Sequence, residues 1–313
     1  MLMDTGLVAL GLALLVAGGD ALVRGALMLA TRLRLPPLFV GLTIVGFGTS
    51  LPELLVSVEA ALAGLPDIAV GNVVGSNTAN ILLILGIAMV LAPMPTRIPG
   101  IMRDTVAMLA ATAALTGVAF SGGVSPIVGL AFVLALALYL VVCARTSRDQ
   151  AKIPGTDIPP APLWRAGVFS GLGLLALVFG ADCLVEGARS MAATLGVSDA
   201  VIGLSVVAVG TSLPELATSI AAALRRQPEI AIGNVLGSNL FNILGILGLT
   251  SLVAPLPFSA AMIRHDIPVM AAATLVLAVL VAATAKLPRL AGVPLLIAYG
   301  WYCTSLLTQG VST

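Results

Sequence analysis

Apolar residues follow one another along this chain in long runs, about 20 at a time, separated by short polar or proline-containing connectors. That length crosses the hydrocarbon core of a bilayer as an α-helix. Ten such helices are expected, over about 5–31, 38–64, 68–92, 102–119, 124–143, 165–193, 199–224, 230–254, 265–284 and 290–308. One connector is long. Residues 144–164 (ARTSRDQAKIPGTDIPPAPLW) are polar and proline-rich, the composition of a linker, and they divide five helices from five.

Polar residues interrupt the apolar runs at repeated places. Residues 41–86 return as residues 203–248, offset by 162 without a gap and identical at 29 of 46 positions. Most of the telling identities are polar or small residues: GTSLPE (48–53 and 210–215), GNV (71–73 and 233–235), GSN (75–77 and 237–239), and Asn80 with Asn242. The offset extends outward to Asp20 and Asp182, Gly25 and Gly187, Pro93 and Pro255, and Asp104 and Asp266. Each half, 1–143 and 165–313, therefore reads as one five-helix unit. Five is odd, so the second unit enters the membrane the other way up. The expected fold class is an all-α membrane protein, ten transmembrane helices as two inverted five-helix repeats, with a site at the repeat interface near the midplane.

Composition agrees and excludes alternatives. At 59% hydrophobic and 9% charged, with mean hydropathy +1.13, this is not an ordinary soluble domain. No basic cluster suits nucleic acid, and the loops are too short to hold a soluble enzyme domain. HExxH, GxGD and Ser–His arrangements are absent, which speaks against an intramembrane enzyme. Cys143, Cys183 and Cys303 have no CxxC spacing and read as small buried apolar residues. The first run lacks a cationic leader and reads as a retained span. Twelve of the fifteen Lys and Arg fall in the connectors after the odd-numbered helices. By the positive-inside rule both termini lie outside and the 144–164 linker in the cytoplasm, in the cell (inner) membrane.

Glu53 and Glu215 lie near the middle of their expected helices, where a carboxylate in lipid costs several kcal/mol. No Lys or Arg lies near mid-depth, so each acid calls for a cation or a proton. Pro52 and Pro214 remove an N–H and leave the carbonyls of Gly48 and Gly210 without helical partners. Thr49 and Ser50 precede Glu53 by four and three residues and are expected on its helix face, as are Thr211 and Ser212 for Glu215. Asn72, Ser76 and Asn80 form a polar stripe repeated as Asn234, Ser238 and Asn242; alignment with the glutamates favours ligation over helix-to-helix hydrogen bonding. Gly71 with Gly75, and Gly233 with Gly237, suit close helix packing. All the candidate ligands are oxygens. They suit a hard cation, Ca²⁺ above all, and two carboxylates balance one Ca²⁺, two Na⁺ or two protons. His265 is alone near a helix end, and Glu59 lies on a different face from Glu53.

At these residues the chain resembles the cation/calcium exchanger superfamily, most of all prokaryotic sodium/calcium exchangers, over essentially its whole length. The resemblance implies two α-repeats around a central cluster of cation sites, with Glu53 and Glu215 binding Ca²⁺ and Na⁺ in turn. It implies that Thr49, Ser50, Thr211, Ser212, Ser76 and Ser238 complete the shells, with Asn80 and Asn242 at the middle. The first and sixth helices, carrying Asp20 and Asp182, would slide to alternate access. Many sodium/calcium members carry Asp where this chain has Asn242, whereas proton-coupled members commonly carry Asn. The expected activity is Ca²⁺/Na⁺ antiport, with Ca²⁺/H⁺ antiport and a passive cation channel as the alternatives. The expected partners are these ions and the lipid bilayer; no cofactor and no obligate protein partner is expected.

Overall fold

The computed structural model describes residues 2–149, 162–194 and 210–310. Eleven helical segments carry the fold: α1 (Leu2–Leu33), α2 (Pro37–Thr49), α3 (Leu51–Leu62), α4 (Pro66–Leu91), α5 (Ile101–Phe120), α6 (Pro126–Asp149), α7 (Leu163–Thr194), α8 (Leu213–Leu224), α9 (Pro228–Val253), α10 (Met262–Ala283) and α11 (Gly292–Gly310). Among the described residues seven helices are long and apolar enough to cross a membrane, eight if α2 and α3 count as one bent span. Most of the expected linker (150–161) and the start of the second repeat (203–209) fall outside the described residues.

Helix extends into the expected linker from both sides: α6 continues to Asp149 and α7 starts at Leu163. Ala and Arg, strong helix formers, carry the helix past the apolar boundary. The molecule also contains strand. Met94–Pro95 (β1) pairs antiparallel with Lys286–Leu287 (β4), and Gly123–Val124 (β2) with Leu256–Pro257 (β3). Each ribbon is two residues long and ties a connector of one half to a connector of the other, pairing backbone groups that the helix ends leave free.

The expected single helix over 38–64 is bent by 42° between α2 and α3. Ser50 sits at the bend with φ −85° and ψ 5°, and Pro52 follows in the first turn of α3. Proline cannot donate to Gly48 O, so the ladder is broken there. Ser212, just before α8, has the same backbone angles, φ −86° and ψ 4°.

α1 packs along α7 through glycines that bring the backbones together. A Cβ on Gly11 would meet Leu184 N at 2.6 Å, one on Gly18 would meet Leu177 N at 2.9 Å, and one on Gly25 would meet Ser170 N at 2.6 Å. Contacts that rise along α1 fall along α7, so these two helices, which match at the 162-residue offset, run antiparallel. The contacts are also reciprocal: Gly180 faces Gly11 and Leu15, and Gly173 faces Gly18 and Leu22. Thr112 and Thr274, 162 residues apart, meet each other at 3.4 Å.

α9 is the innermost element. Residues 230–240 are all buried, the polar Asn234, Ser238 and Asn239 included. α2 lies against it, with a Cβ on Gly233 placed 2.5 Å from Leu38 O and 3.0 Å from Leu42 N. Gly19 brings α1 against Ala217 and Thr218 of α8. Asp20 fixes the same contact with two arginines, Arg24 at 2.9 Å and Arg225 just beyond α8. All three side chains are 31–50% exposed. Asp20→Asn is therefore expected to cost less than about 1 kcal/mol in thermal unfolding; a larger loss would show that the pair holds α1 in place.

Candidate functional site

The turns at Ser50 and Ser212 bring signature residues of both halves to one buried cluster. Glu53 stands in the first turn of α3 and Glu215 in the first turn of α8, each 1% exposed. Proline at the second position of each helix starts the turn, and its missing N–H costs nothing there. Neither glutamate has an ion-pair partner among the described residues.

Hydroxyls cross between the halves. Ser50 Oγ donates to Glu215 Oε1 at 3.0 Å, and Ser212 Oγ approaches Glu53 Oε1 at 3.5 Å. This corrects the expected placement of Ser50 and Ser212 on the face of their own glutamates. Sequence spacing assumes an unbroken helix, whereas each serine sits at the break and turns toward the opposite carboxylate. Thr49 Oγ1 donates to Val45 O at 3.0 Å and lies 3.3 Å from Asn234 Oδ1; Thr211 Oγ1 donates to Asn72 Oδ1 at 3.4 Å.

Asn72 and Asn234 brace the turns that carry the glutamates through their amide donors. Asn72 Nδ2 donates to Glu53 O and Ser57 Oγ, both at 3.0 Å. Asn234 Nδ2 donates to Glu215 O at 3.3 Å and Ser219 Oγ at 3.0 Å. Each amide ties α4 to α3, or α9 to α8, at the turn that carries the glutamate. Ser57 and Ser219, which spacing did not single out, belong to this brace; their identity at the 162-residue offset was the available signal. Ser76 Oγ accepts from Ser212 Oγ at 3.3 Å, and Ser238 Oγ donates to Gly46 O at 3.3 Å.

Asn80 and Asn242 lie at π-helical turns, Asn80–Ile84 in α4 and Phe241–Ile246 in α9. Such turns shift side chains off the regular helical stack and recur at functional sites. Asn242 Nδ2 donates to Asn77 Oδ1 at 3.2 Å. That contact draws in the Asn of the first GSN motif.

Five buried oxygens here have no hydrogen-bond partner: Glu53 Oε2, Glu215 Oε2, Asn80 Oδ1, Asn242 Oδ1 and Asn239 Oδ1. Buried polar atoms are rarely left so. All five are acceptors, and two belong to carboxylates, so the set fits a hard cation and no anion. Among the described residues no cluster of three or more His, Cys, Asp and Glu exists, which leaves zinc-type ligation without a site. Asp20, Asp182 and Glu59 lie outside the cluster. Asp20 is ion-paired, and the other two are exposed.

The chain matches the family model described as sodium/calcium exchanger protein in two stretches, residues 3–145 and 166–308. It is 38% identical over 303 residues to the putative antiporter CaxA of Alkalimonas amylolytica, covering 93% of both chains. It is 33% identical to the sodium/calcium exchanger MaX1 of Methanosarcina acetivorans, covering 93% of this chain and 94% of that one. The solved sodium-calcium exchanger NCX_Mj, soaked with 10 mM Na⁺ and zero Ca²⁺, superposes with TM-score 0.87 at 32% identity, over 97% of this chain and 99% of the other. With its buried paired glutamates and its match in both halves, this chain belongs to the sodium/calcium exchanger family.

Proposed function

We propose that this protein is a secondary antiporter that exchanges Ca²⁺ for Na⁺ by alternating access. The observation that carries the reading is the set of partnerless buried oxygens contributed by both halves, Glu53 Oε2, Glu215 Oε2, Asn80 Oδ1 and Asn242 Oδ1. Ca²⁺ brings two charges to two carboxylates and accepts the neutral oxygens around them. Two Na⁺ bring the same charge with the same ligand chemistry. An empty pair of carboxylates is too costly to carry through the barrier, so the site moves only when loaded, and exchange is obligatory. Thr49, Ser50, Ser76, Thr211, Ser212 and Ser238 adjust the shells between the two ions.

The framework belongs to the same proposal: ten spans as two inverted repeats, 1–143 and 165–313, with both termini outside and residues 144–164 in the cytoplasm. The antiparallel, reciprocal contact of α1 with α7 supports it, since the two helices occupy matching places in the repeats. The two-part family match supports it as well. The glycine-lined contact of α1 and α7 is suited to sliding, because small residues leave no interlocked side chains to part.

A proton is the second candidate counter-ion, favoured by one observation: both central matched positions are Asn, so only Glu53 and Glu215 carry charge. Ca²⁺ uptake into proteoliposomes under an outward Na⁺ gradient, and separately under an outward proton gradient, decides between them. Uptake with Na⁺ alone supports the proposal, and uptake with the proton gradient alone overturns it in favour of Ca²⁺/H⁺ exchange. Gradient-independent flux overturns antiport altogether. Asn242→Asp adds a third central carboxylate and is expected to retain Ca²⁺ binding while shifting the Na⁺ or pH dependence of transport. An unchanged ion profile would show that this position does not set the coupling.

A further inference from the structure

The starts of α5 and α10 each carry a buried or half-buried Asp bonded to a Tyr, and only the first has an arginine on it. In the first half Asp104 is fully buried; its Oδ1 accepts from Arg103 Nε at 2.7 Å and from Tyr139 OH at 2.9 Å. Arg103 also reaches Thr146, so its guanidinium closes the frame. In the second half Asp266 takes the place of Asp104, and Tyr302 OH donates to Asp266 Oδ1 at 3.1 Å, as Tyr139 does to Asp104. The arginine has no equivalent, because the 162-residue offset puts His265 opposite Arg103. A cavity of about 260 Å³ remains, lined by Arg264, His265, Asp266, Trp301, Tyr302 and Ser305.

Asp266 has no ion-pair partner among the described residues, and neither does Arg264. Arg264, His265 and Trp301 are exposed. An occupant must therefore bring a cationic donor to Asp266 and an anionic acceptor to Arg264, next to an indole face. The cavity lies between the start of α10 and the second half of α11, and it carries the Trp and Tyr usual at the headgroup level. We propose that it binds the headgroup of a phospholipid with a primary ammonium, phosphatidylethanolamine. The ammonium takes the place of the missing guanidinium on Asp266 and lies near the Trp301 ring, where a cation is attracted. The phosphodiester meets Arg264, whose planar fork suits phosphate oxygens. The site does not depend on which ions are transported.

Native mass spectrometry of the full chain in detergent, titrated with single lipids, tests this. The wild type is expected to bind phosphatidylethanolamine more tightly than phosphatidylcholine, whose trimethylammonium cannot donate. Asp266→Asn and Arg264→Gln are each expected to weaken phosphatidylethanolamine binding about tenfold, the loss of one charge-assisted contact. Arg264 is exposed, so its variant keeps the test open if Asp266→Asn folds poorly. Equal affinity for the two lipids, or unchanged affinity in Arg264→Gln, would overturn the proposal. Tighter binding of phosphatidylglycerol would overturn it in favour of a plain anion site. Full competition by water-soluble glycerophosphoethanolamine would show a solute site rather than a lipid site.

Discussion

Glu53→Gln and Glu215→Gln are each expected to abolish Ca²⁺ transport and leave the fold intact. The amide keeps the shape of the side chain and can still accept from the serine across the interface, Ser212 or Ser50. It removes one of only two central charges. Losing one partner of a buried charge pair costs about 2–5 kcal/mol, so Ca²⁺ affinity should fall about 100-fold or more. Without ions, the variant should unfold at the same temperature as the parent or higher, because a buried amide is less costly than an unpaired buried carboxylate. Ca²⁺ should then stop raising the unfolding temperature, since only a bound ligand shifts that equilibrium. Thermal unfolding with and without Ca²⁺, beside flux in proteoliposomes, checks both halves of the expectation. Near-normal flux in either variant would remove that glutamate from the site.

Gly237→Val is expected to be the most damaging single change to the fold. A Cβ there would stand 2.8 Å from Leu42 Cα and 2.7 Å from Leu42 C, so the obstacle is backbone and cannot rotate away. α9 is buried all round and α2 is held to it by Gly233 as well, which leaves no direction for relaxation. Overpacking of this kind costs about 3 kcal/mol or more, equivalent to roughly 10 °C in unfolding temperature. Gly117→Val is the control: a Cβ at Gly117 finds nothing within 4 Å, and its unfolding temperature should not move. A Gly237→Val protein as stable as the parent would mean that α2 and α9 do not approach so closely.

The glutamates were legible because a carboxylate in an apolar run is expensive and this one occurs twice at one spacing. The bend at Ser50 was legible for a similar reason, since proline in a helix interior breaks the ladder. Ser50 and Ser212 were found as site residues but assigned to the wrong glutamate. Helix periodicity speaks only of neighbours three and four apart on an unbroken helix. Spacing puts Asn72 and Asn234 on the polar stripe but does not show that their Nδ2 groups bond to the carbonyls of Glu53 and Glu215. The π-helical turns at Asn80 and Asn242 left no mark that composition could reveal.

What the sequence by itself determined is what depends on local chemistry and on duplication. Apolar length sets which segments are suited to cross the membrane, proline and glycine set where helices break, and the repeated acids set what the site must neutralise. Only the tertiary structure decided which oxygens stay without partners. It also decided which hydroxyl faces which carboxylate, and which of two matching Asp–Tyr frames, at Asp104 or at Asp266, is left open. The hydroxyl–carboxylate pairs join residues 159 and 165 positions apart and the Asp–Tyr frames residues 35 and 36 apart, and no local preference along a chain encodes such contacts.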